Sequence, residues 1–221
     1  MDILTLEAEA TSARSLANHG VGALERLASA ATDADPVLAC LALASEKMLK
    51  MTIGMTSVTD GKAWPEKQRM VGYGHRITTL NREAMAMLIG RVERATHPAV
   101  VTNAALESVD VTWTEPLLEA LSDWGAGGRF YNLDTLAGQG QKYPSPAQMW
   151  RTLESAVTAA HPEVIDHIAS SRGTNREARA PLNAMLARAF RNWWGFYATA
   201  WKHGVPGDEA RALGSVIALD K

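Results

Sequence analysis

Cysteine, long apolar runs and net charge are all scarce in this sequence. Cys40 is the single cysteine among 221 residues, which excludes an internal disulfide framework and fits a reducing compartment. The longest apolar run, Val37 to Ala44, is far shorter than the roughly 20 residues that a membrane-spanning helix needs. The formal net charge is −2, so no global positive field attracts nucleic acid or an anionic membrane. Because the N-terminus also lacks the basic region of a secretory signal, we expect a cytoplasmic protein without a membrane segment.

Strong catalytic and cofactor motifs are equally scarce. The sequence contains no GxxxxGK[ST] phosphate loop, no HExxH, no pair of CxxC motifs and no GxSxG. Gly138-Gln139-Gly140 follows no strand pattern and lacks a third glycine, so it is not a dinucleotide-binding loop. His161, His167 and His203 have no carboxylate or cysteine partner at ligand spacing. We therefore expect no metal site and no cofactor.

Apolar residues recur with helical spacing along most of the chain, which predicts an all-α fold. The first amphipathic helix is predicted from Ile3 to Ala31. Asp35 and Pro36 form an N-cap and first-turn signal for a second, almost entirely apolar helix that should be deeply buried. After an exposed connection, a third helix is predicted from Ile77 to about Arg94.

The second half of the chain has several further helix signals. Three Xaa-Pro pairs, at Glu115-Pro116, Ser145-Pro146 and His161-Pro162, mark helix starts or breaks. Pro181 lies in a long helix candidate and would be tolerated only in a first turn. The predicted segments are a helix over 99–107, a β-branched run over 109–113, helices from 114 and 145, the long helix 174–203, and a last helix over 208–218.

These segments predict one helical domain over residues 1–221, built as a helical bundle with additional C-terminal helices. Residues 1–95 hold the core helices and residues 146–221 the C-terminal ones. Residues 96–145 are interrupted by glycines and are expected to be irregular. Near its end, the long helix carries Trp193, Trp194 and Trp201, which predict either a packing seam within the chain or a face shared between protomers.

Arg69, His75 and Arg76 form the most suggestive polar group, beside glycines that allow close backbone approach. An arginine next to an imidazole suits phosphodiester chemistry, because arginine stabilises negative charge while histidine moves a proton near neutral pH. Arg69 and His75 are therefore the candidate catalytic residues and Arg76 a candidate binding residue. A capping histidine beside a solvated arginine explains the same pattern.

Two further groups are candidate binding residues. Glu46 and Lys50 are four residues apart on an otherwise apolar helix, a spacing typical of a structural ion pair as well as of a site. Arg129, Tyr131 and Asp134 lie between glycines, where they could line a pocket or belong to a packed surface loop.

The order of features from Ala8 to Leu88 resembles the HEPN superfamily of small helical-bundle proteins. The similar points are an alanine-rich first helix, a buried second helix with Leu41-Ala42-Leu43-Ala44-Ser45-Glu46-Lys47-Met48-Leu49-Lys50, and a third helix entered through Gly74-His75-Arg76-Ile77-Thr78-Thr79-Leu80.

The resemblance implies a homodimer, with the tryptophan face partly interfacial. Active members of the family are metal-independent ribonucleases that use an arginine and a histidine, separated by four to six residues, on a late helix. Here Arg191-Asn192 is similar to the start of that motif, but Phe196, Tyr197 and Ala198 stand where its histidine would be, and His203 lies 120° away from Arg191 around the helix.

Two functions follow as hypotheses. The first is a non-catalytic helical module that binds a partner, a nucleotide or RNA, in a stress or defence setting that the resemblance implies. The second is a metal-independent, toxin-like ribonuclease that uses Arg69 with His75, or Arg191 with a histidine brought near by folding or dimerisation.

Overall fold

The computed structural model describes residues 2–109 and 112–220, and α-helices account for most of them. No β-strand occurs in these two ranges, so the all-α prediction is confirmed. The α-helices are α1 (Ile3–Glu25), α2 (Ala30–Thr59), α3 (Lys67–Gly72), α4 (Ile77–Ile89), α5 (Pro98–Val109), α6 (Thr114–Ala126), α7 (Tyr131–Leu136), α8 (Pro146–Ala160), α9 (Pro162–Ser170), α10 (Asn175–Lys202) and α11 (Asp208–Leu213). Short 3-10 turns cover Val92–Arg94 and Gly128–Phe130.

Helix α2 is the centre of the bundle and packs against α1, α4, α6 and α8. All residues from Met51 to Ser57 are buried, so this part of α2 is enclosed on every side. Its hydroxyl groups are not left unpaired: Thr52, Thr56 and Ser57 each donate to the carbonyl four residues earlier. The second helix is therefore buried as predicted.

The predicted start of α2 at Asp35-Pro36 is wrong, because the helix begins at Ala30. The Asp33 carboxylate accepts hydrogen bonds from the backbone N–H groups of Ala28 and Ser29, at 2.9 and 3.0 Å. These bonds pair two amides at the helix start and lower the pKa of Asp33. Asp35 instead accepts a hydrogen bond from the indole N–H of Trp124, at 2.6 Å.

Pro181 also lies inside its helix and not in a first turn. Helix α10 begins at Asn175, where Thr174 and Glu177 form a capping box. In both α2 and α10, side chains that cap the backbone start the helix upstream of the proline. Each proline removes one backbone hydrogen bond near the N-terminus of its helix, and the helix continues through it.

Residues 96–145 are more regular than predicted. Helix α5 packs against α10, and α6 packs against α2 and α8. Of the β-branched run over 109–113, Asp110 and Val111 lie outside the described residues. Among the residues that are described, no helix is both long enough and apolar enough to cross a bilayer.

The aromatic residues of α10 pack within the chain. Trp193, Trp194 and Trp201 are at most 1% exposed, and their indole N–H groups donate to Asn81 Oδ1, to the Ile217 carbonyl and to Thr52 Oγ1, at 2.7 to 2.8 Å. The prediction that this face is partly interfacial is therefore wrong, because no surface of these rings remains for a second protomer. The tryptophans instead form a packing seam within the chain, which is the other structure that the sequence pattern predicts.

A pair of glycine substitutions tests this close packing. A Cβ atom added at Gly54 on α2 would overlap the ring of Trp64, whereas one added at Gly195 on α10 would meet no atom within 4 Å. We expect Gly54→Ala to lower the free energy of unfolding by about 1 to 3 kcal/mol. We expect Gly195→Ala to raise it by about 0.5 to 1 kcal/mol, because alanine favours the helix. Urea denaturation followed by circular dichroism measures both, and equal effects of the two substitutions would contradict this packing.

Candidate functional site

The candidate site is built around the carboxylate of Glu46, which projects from α2. Lys50, one turn later on the same helix, donates from Nζ to Glu46 Oε1 at 2.6 Å. His75, in the connection before α4, contacts Glu46 Oε2 through Nδ1, also at 2.6 Å. Each oxygen of the carboxylate therefore has its own partner, and residues 29 positions apart in sequence meet at one point.

Arg129 completes the group from the other side of His75. Its Nη2 atom lies 3.2 Å from His75 Nε2. This approach requires glycine at position 125 on α6, because an added Cβ would lie 2.8 Å from the Cβ of His75 and 3.0 Å from its carbonyl oxygen. The 3-10 turn that follows then brings Arg129 back to the imidazole. We call Lys50, Glu46, His75 and Arg129 the polar cluster.

The contacts of the two ring nitrogens determine the tautomer of His75 in its neutral form. Arginine has N–H donors and no acceptor, so the ring nitrogen facing Arg129 must accept. That nitrogen is Nε2, which leaves the proton on Nδ1, where it is donated to Glu46. Glu46 therefore orients the ring as a carboxylate does in many histidine sites.

The polar cluster is largely withdrawn from water. The side chains of Glu46, Lys50 and His75 are 15%, 23% and 37% exposed. At this degree of burial, electrostatic interactions are stronger than on an open surface. With His75 neutral, the two cations Lys50 and Arg129 face a single carboxylate, so the cluster has an excess positive charge.

One donor of the polar cluster is unused. The Nε atom of Arg129 is buried and has no hydrogen-bond partner within the described ranges. Buried polar groups are nearly always paired, so this unpaired guanidinium N–H is a candidate donor to an acceptor of a ligand.

A cleft of about 360 Å³ opens beside the cluster, with Glu46, Lys50 and His75 in its wall. Its other walls include the ring of Trp64, which packs against Gly54, and the side chains of Met51 and Met70. Glu9 and Lys47, also at the cleft, neutralise each other across 2.6 Å. The cleft thus combines an apolar, partly aromatic wall with a polar end formed by Glu46, Lys50 and His75.

The remaining predicted site residues lie elsewhere. The Arg69 guanidinium donates to Tyr73 Oη at 3.2 Å and to Glu83 Oε1 at 3.1 Å. Among the described residues, Arg69 forms no hydrogen bond with His75. The bonds from Tyr73 and Glu83 raise the pKa of Arg69 and fix its charge on the surface. The cationic partner of the imidazole is Arg129, which the sequence analysis grouped with Tyr131 and Asp134.

Arg76 also has a local role, because its guanidinium donates to the carbonyls of Gly72 and Tyr73 at the end of α3. Tyr131 and Asp134 lie on the short helix α7. Among the described residues, neither side chain forms a hydrogen bond or ion pair, and neither joins the polar cluster through one.

The late-helix alternative is not assembled within one chain. Arg191 pairs with Glu25 at 2.6 Å, and His203 Nδ1 contacts Thr96 Oγ1 at 2.8 Å. His161 does have a carboxylate neighbour, Glu163 at 2.8 Å, which the spacing argument had excluded. Nowhere in residues 2–109 and 112–220 do three potential metal-ligating side chains come together.

Comparison of the chain with protein-family models, with curated proteins and with solved structures finds no match. The HEPN resemblance therefore stays a prediction from the sequence pattern.

The tautomer of His75 is a direct test of the polar cluster. In the neutral form of the ring, we expect the proton on Nδ1 and an unprotonated Nε2. Two-bond proton–nitrogen correlation spectra distinguish the two tautomers, with the exposed His167 as a reference in the same molecule. In Glu46→Ala the preference should weaken, because the acceptor of the Nδ1 proton is removed. A wild-type ring protonated on Nε2 would contradict the contact with Arg129.

Proposed function

We propose that this chain is a non-catalytic helical binding module that holds a phosphate-bearing ligand, a nucleotide or RNA, at the polar cluster. The observation that carries the proposal is that both ring nitrogens of His75 are engaged, one by Glu46 and the other by Arg129. A general base needs a free lone pair directed at its substrate. An imidazole fixed on both sides instead positions a neighbouring cation for an anionic ligand.

The chemistry of the cleft supports a nucleotide in particular. The ammonium of Lys50 and the guanidinium of Arg129 are the groups that bind phosphate oxygens, and arginine does so in a fixed planar geometry. The ring of Trp64 offers an aromatic surface for a base, and such stacking is tolerant of base identity. Because the net charge of the whole chain is −2, affinity would come from this local group and not from a long-range field.

We further propose that the chain is related to the HEPN superfamily and forms a homodimer, as the resemblance implies. The scarcity of cysteine supports a cytoplasmic location. Since the tryptophan face of α10 is buried, a dimer would need another surface. Exposed apolar side chains are available on and beside α7, where Phe130, Leu133 and Leu136 are 47%, 63% and 85% exposed.

Titration calorimetry with AMP, ATP, inorganic phosphate and a short RNA tests the binding role. We expect Arg129→Met to weaken binding of the phosphate-bearing ligands about tenfold or more, the effect of losing a charge-assisted hydrogen bond. Arg69→Met is the matched control, because it removes an arginine whose partners, Tyr73 and Glu83, lie outside the cluster. Equal losses in the two variants, or no binding by the wild-type protein, would contradict the proposal.

The alternative function is a metal-independent ribonuclease in which Arg129, and not Arg69, is the partner of His75. It is favoured by the Glu46–His75 contact, because a carboxylate that orients an imidazole is a common arrangement for proton transfer. Release of Arg129 towards a bound phosphate would free Nε2 to act as the base.

Incubation of the pure protein with RNA in the presence of a metal chelator separates the two functions. A ribonuclease at this site would lose cleavage in His75→Ala and Arg129→Ala and keep it in Arg69→Ala. We expect no cleavage by the wild-type protein. Cleavage with that pattern of losses would replace the binding role with the catalytic one.

A further inference from the structure

A second and larger cavity, of about 660 Å³, lies between α4, α5, α6 and α10. It shares no lining residue with the cleft at the polar cluster. Its volume falls within the range of roughly 300 to 1,000 Å³ that is typical of small-molecule sites. The cavity is therefore a separate candidate site.

Apolar atoms form most of the surface of its inner wall. Helix α4 contributes Met85 and Ala86, α6 contributes Leu118, and α10 contributes Trp193. Leu118 and Trp193 are 5% and 1% exposed, so they are held by the core. A wall of this kind favours a ligand with a mainly apolar body.

Two polar side chains of the cavity wall, Asn81 and Thr114, have hydrogen-bonding groups without a partner among the described residues. Asn81 Oδ1 accepts from Trp193 Nε1 and from Tyr197 Oη, both at 2.7 Å. Burial raises the pKa of Tyr197 well above its usual value, so its hydroxyl stays protonated and donates. With the amide oxygen fixed by these two donors, the Asn81 amino group faces away from them as a donor with no partner among the described residues.

Thr114, at the start of α6, is the other group. It lines the cavity, is 5% exposed, and its hydroxyl has no hydrogen-bond partner within residues 2–109 and 112–220. A buried, unpaired hydroxyl is costly unless something pairs with it. Both spare groups can donate, so they match an acceptor such as a carbonyl oxygen or a ring nitrogen.

The charges of the described lining residues are balanced. Arg82 and Glu115 are the cationic and anionic members, and they carry opposite charges of equal size. The described part of the lining therefore has no net charge to favour an anion over a neutral molecule. In this respect the cavity differs from the polar cluster, where cations are in excess.

We propose that this cavity binds an electrically neutral, mainly apolar small molecule that carries a carbonyl-type acceptor. The apolar body contacts Met85, Leu118 and Trp193, and the acceptor pairs with Thr114 and with the amino group of Asn81. The proposal is independent of the function of the polar cluster.

Fluorescence titration with Nile red tests the proposal, because this dye is neutral, apolar and carries a carbonyl group. We expect saturable binding of one dye per chain. Ala86→Trp, which fills the cavity from the exposed side of α4, should abolish it. Ala159→Trp on α8 is the matched control for an added indole at an exposed alanine, and it should bind as the wild-type protein does.

A second variant and a second dye test the proposal if Ala86→Trp perturbs folding. Thr114→Val removes the hydroxyl at nearly constant volume and should weaken dye binding about threefold to tenfold, the effect of one hydrogen bond. The anionic dye 1-anilinonaphthalene-8-sulfonate should bind more weakly than Nile red and should not compete with it at equal concentration. Unchanged binding in both Ala86→Trp and Thr114→Val, or tighter binding of the anionic dye, would overturn the proposal.

Discussion

Glu46 carries a carboxylate on a helix whose other inward side chains are mostly apolar. Only 15% of this side chain is exposed, and a carboxylate withdrawn from water needs hydrogen-bond donors to offset its lost hydration. Lys50 supplies one from the same helix, and His75 supplies the other from the connection before α4. This requirement ties the position of that connection to α2 and, through His75, determines where Arg129 can lie.

The close approach of α6 to this connection depends on the absence of a side chain at Gly125. With Gly125 in contact with His75, the 3-10 turn at the end of α6 returns Arg129 to the imidazole. The polar cluster therefore depends on packing between α2, the connection before α4 and α6, and not on a local sequence motif. Such a site is expected to be as rigid as the core that holds it.

The cleft at the polar cluster and the larger cavity have different polar groups because different helices line them. The cleft lies beside α2 and has Lys50, Glu46 and His75 in its wall, and Arg129 contacts His75 from the other side. The larger cavity lies beside α4, and its wall includes an asparagine whose oxygen is already used by Trp193 and Tyr197. One small helical domain thus holds two separate cavities whose walls carry different polar groups.

The sequence by itself determined the helical class, the order of the helices and several of their starts, because helical periodicity and capping residues act over a few neighbouring positions. Ser145 with Gln148 and Thr174 with Glu177 are examples, since each pair caps a helix locally. The start inferred from Asp35-Pro36 was wrong, and so was the expectation that Pro181 is tolerated only in a first turn, because capping groups start both helices upstream of the proline. Glu46, Lys50, His75 and Arg129 were each identified as candidates, but in three separate groups.

Only the tertiary structure decided which of these residues meet. The prediction that Arg69 is the partner of His75 rests on their nearness in sequence. In the structure Arg69 donates to Tyr73 and Glu83, and the imidazole contacts Arg129, 54 positions away. The burial of the α10 tryptophans was likewise undetermined, because an aromatic stripe has the same sequence pattern whether a second helix or a second protomer covers it. Contacts between distant residues depend on how helices pack, and single-sequence periodicity gives the buried face of a helix without identifying what covers it.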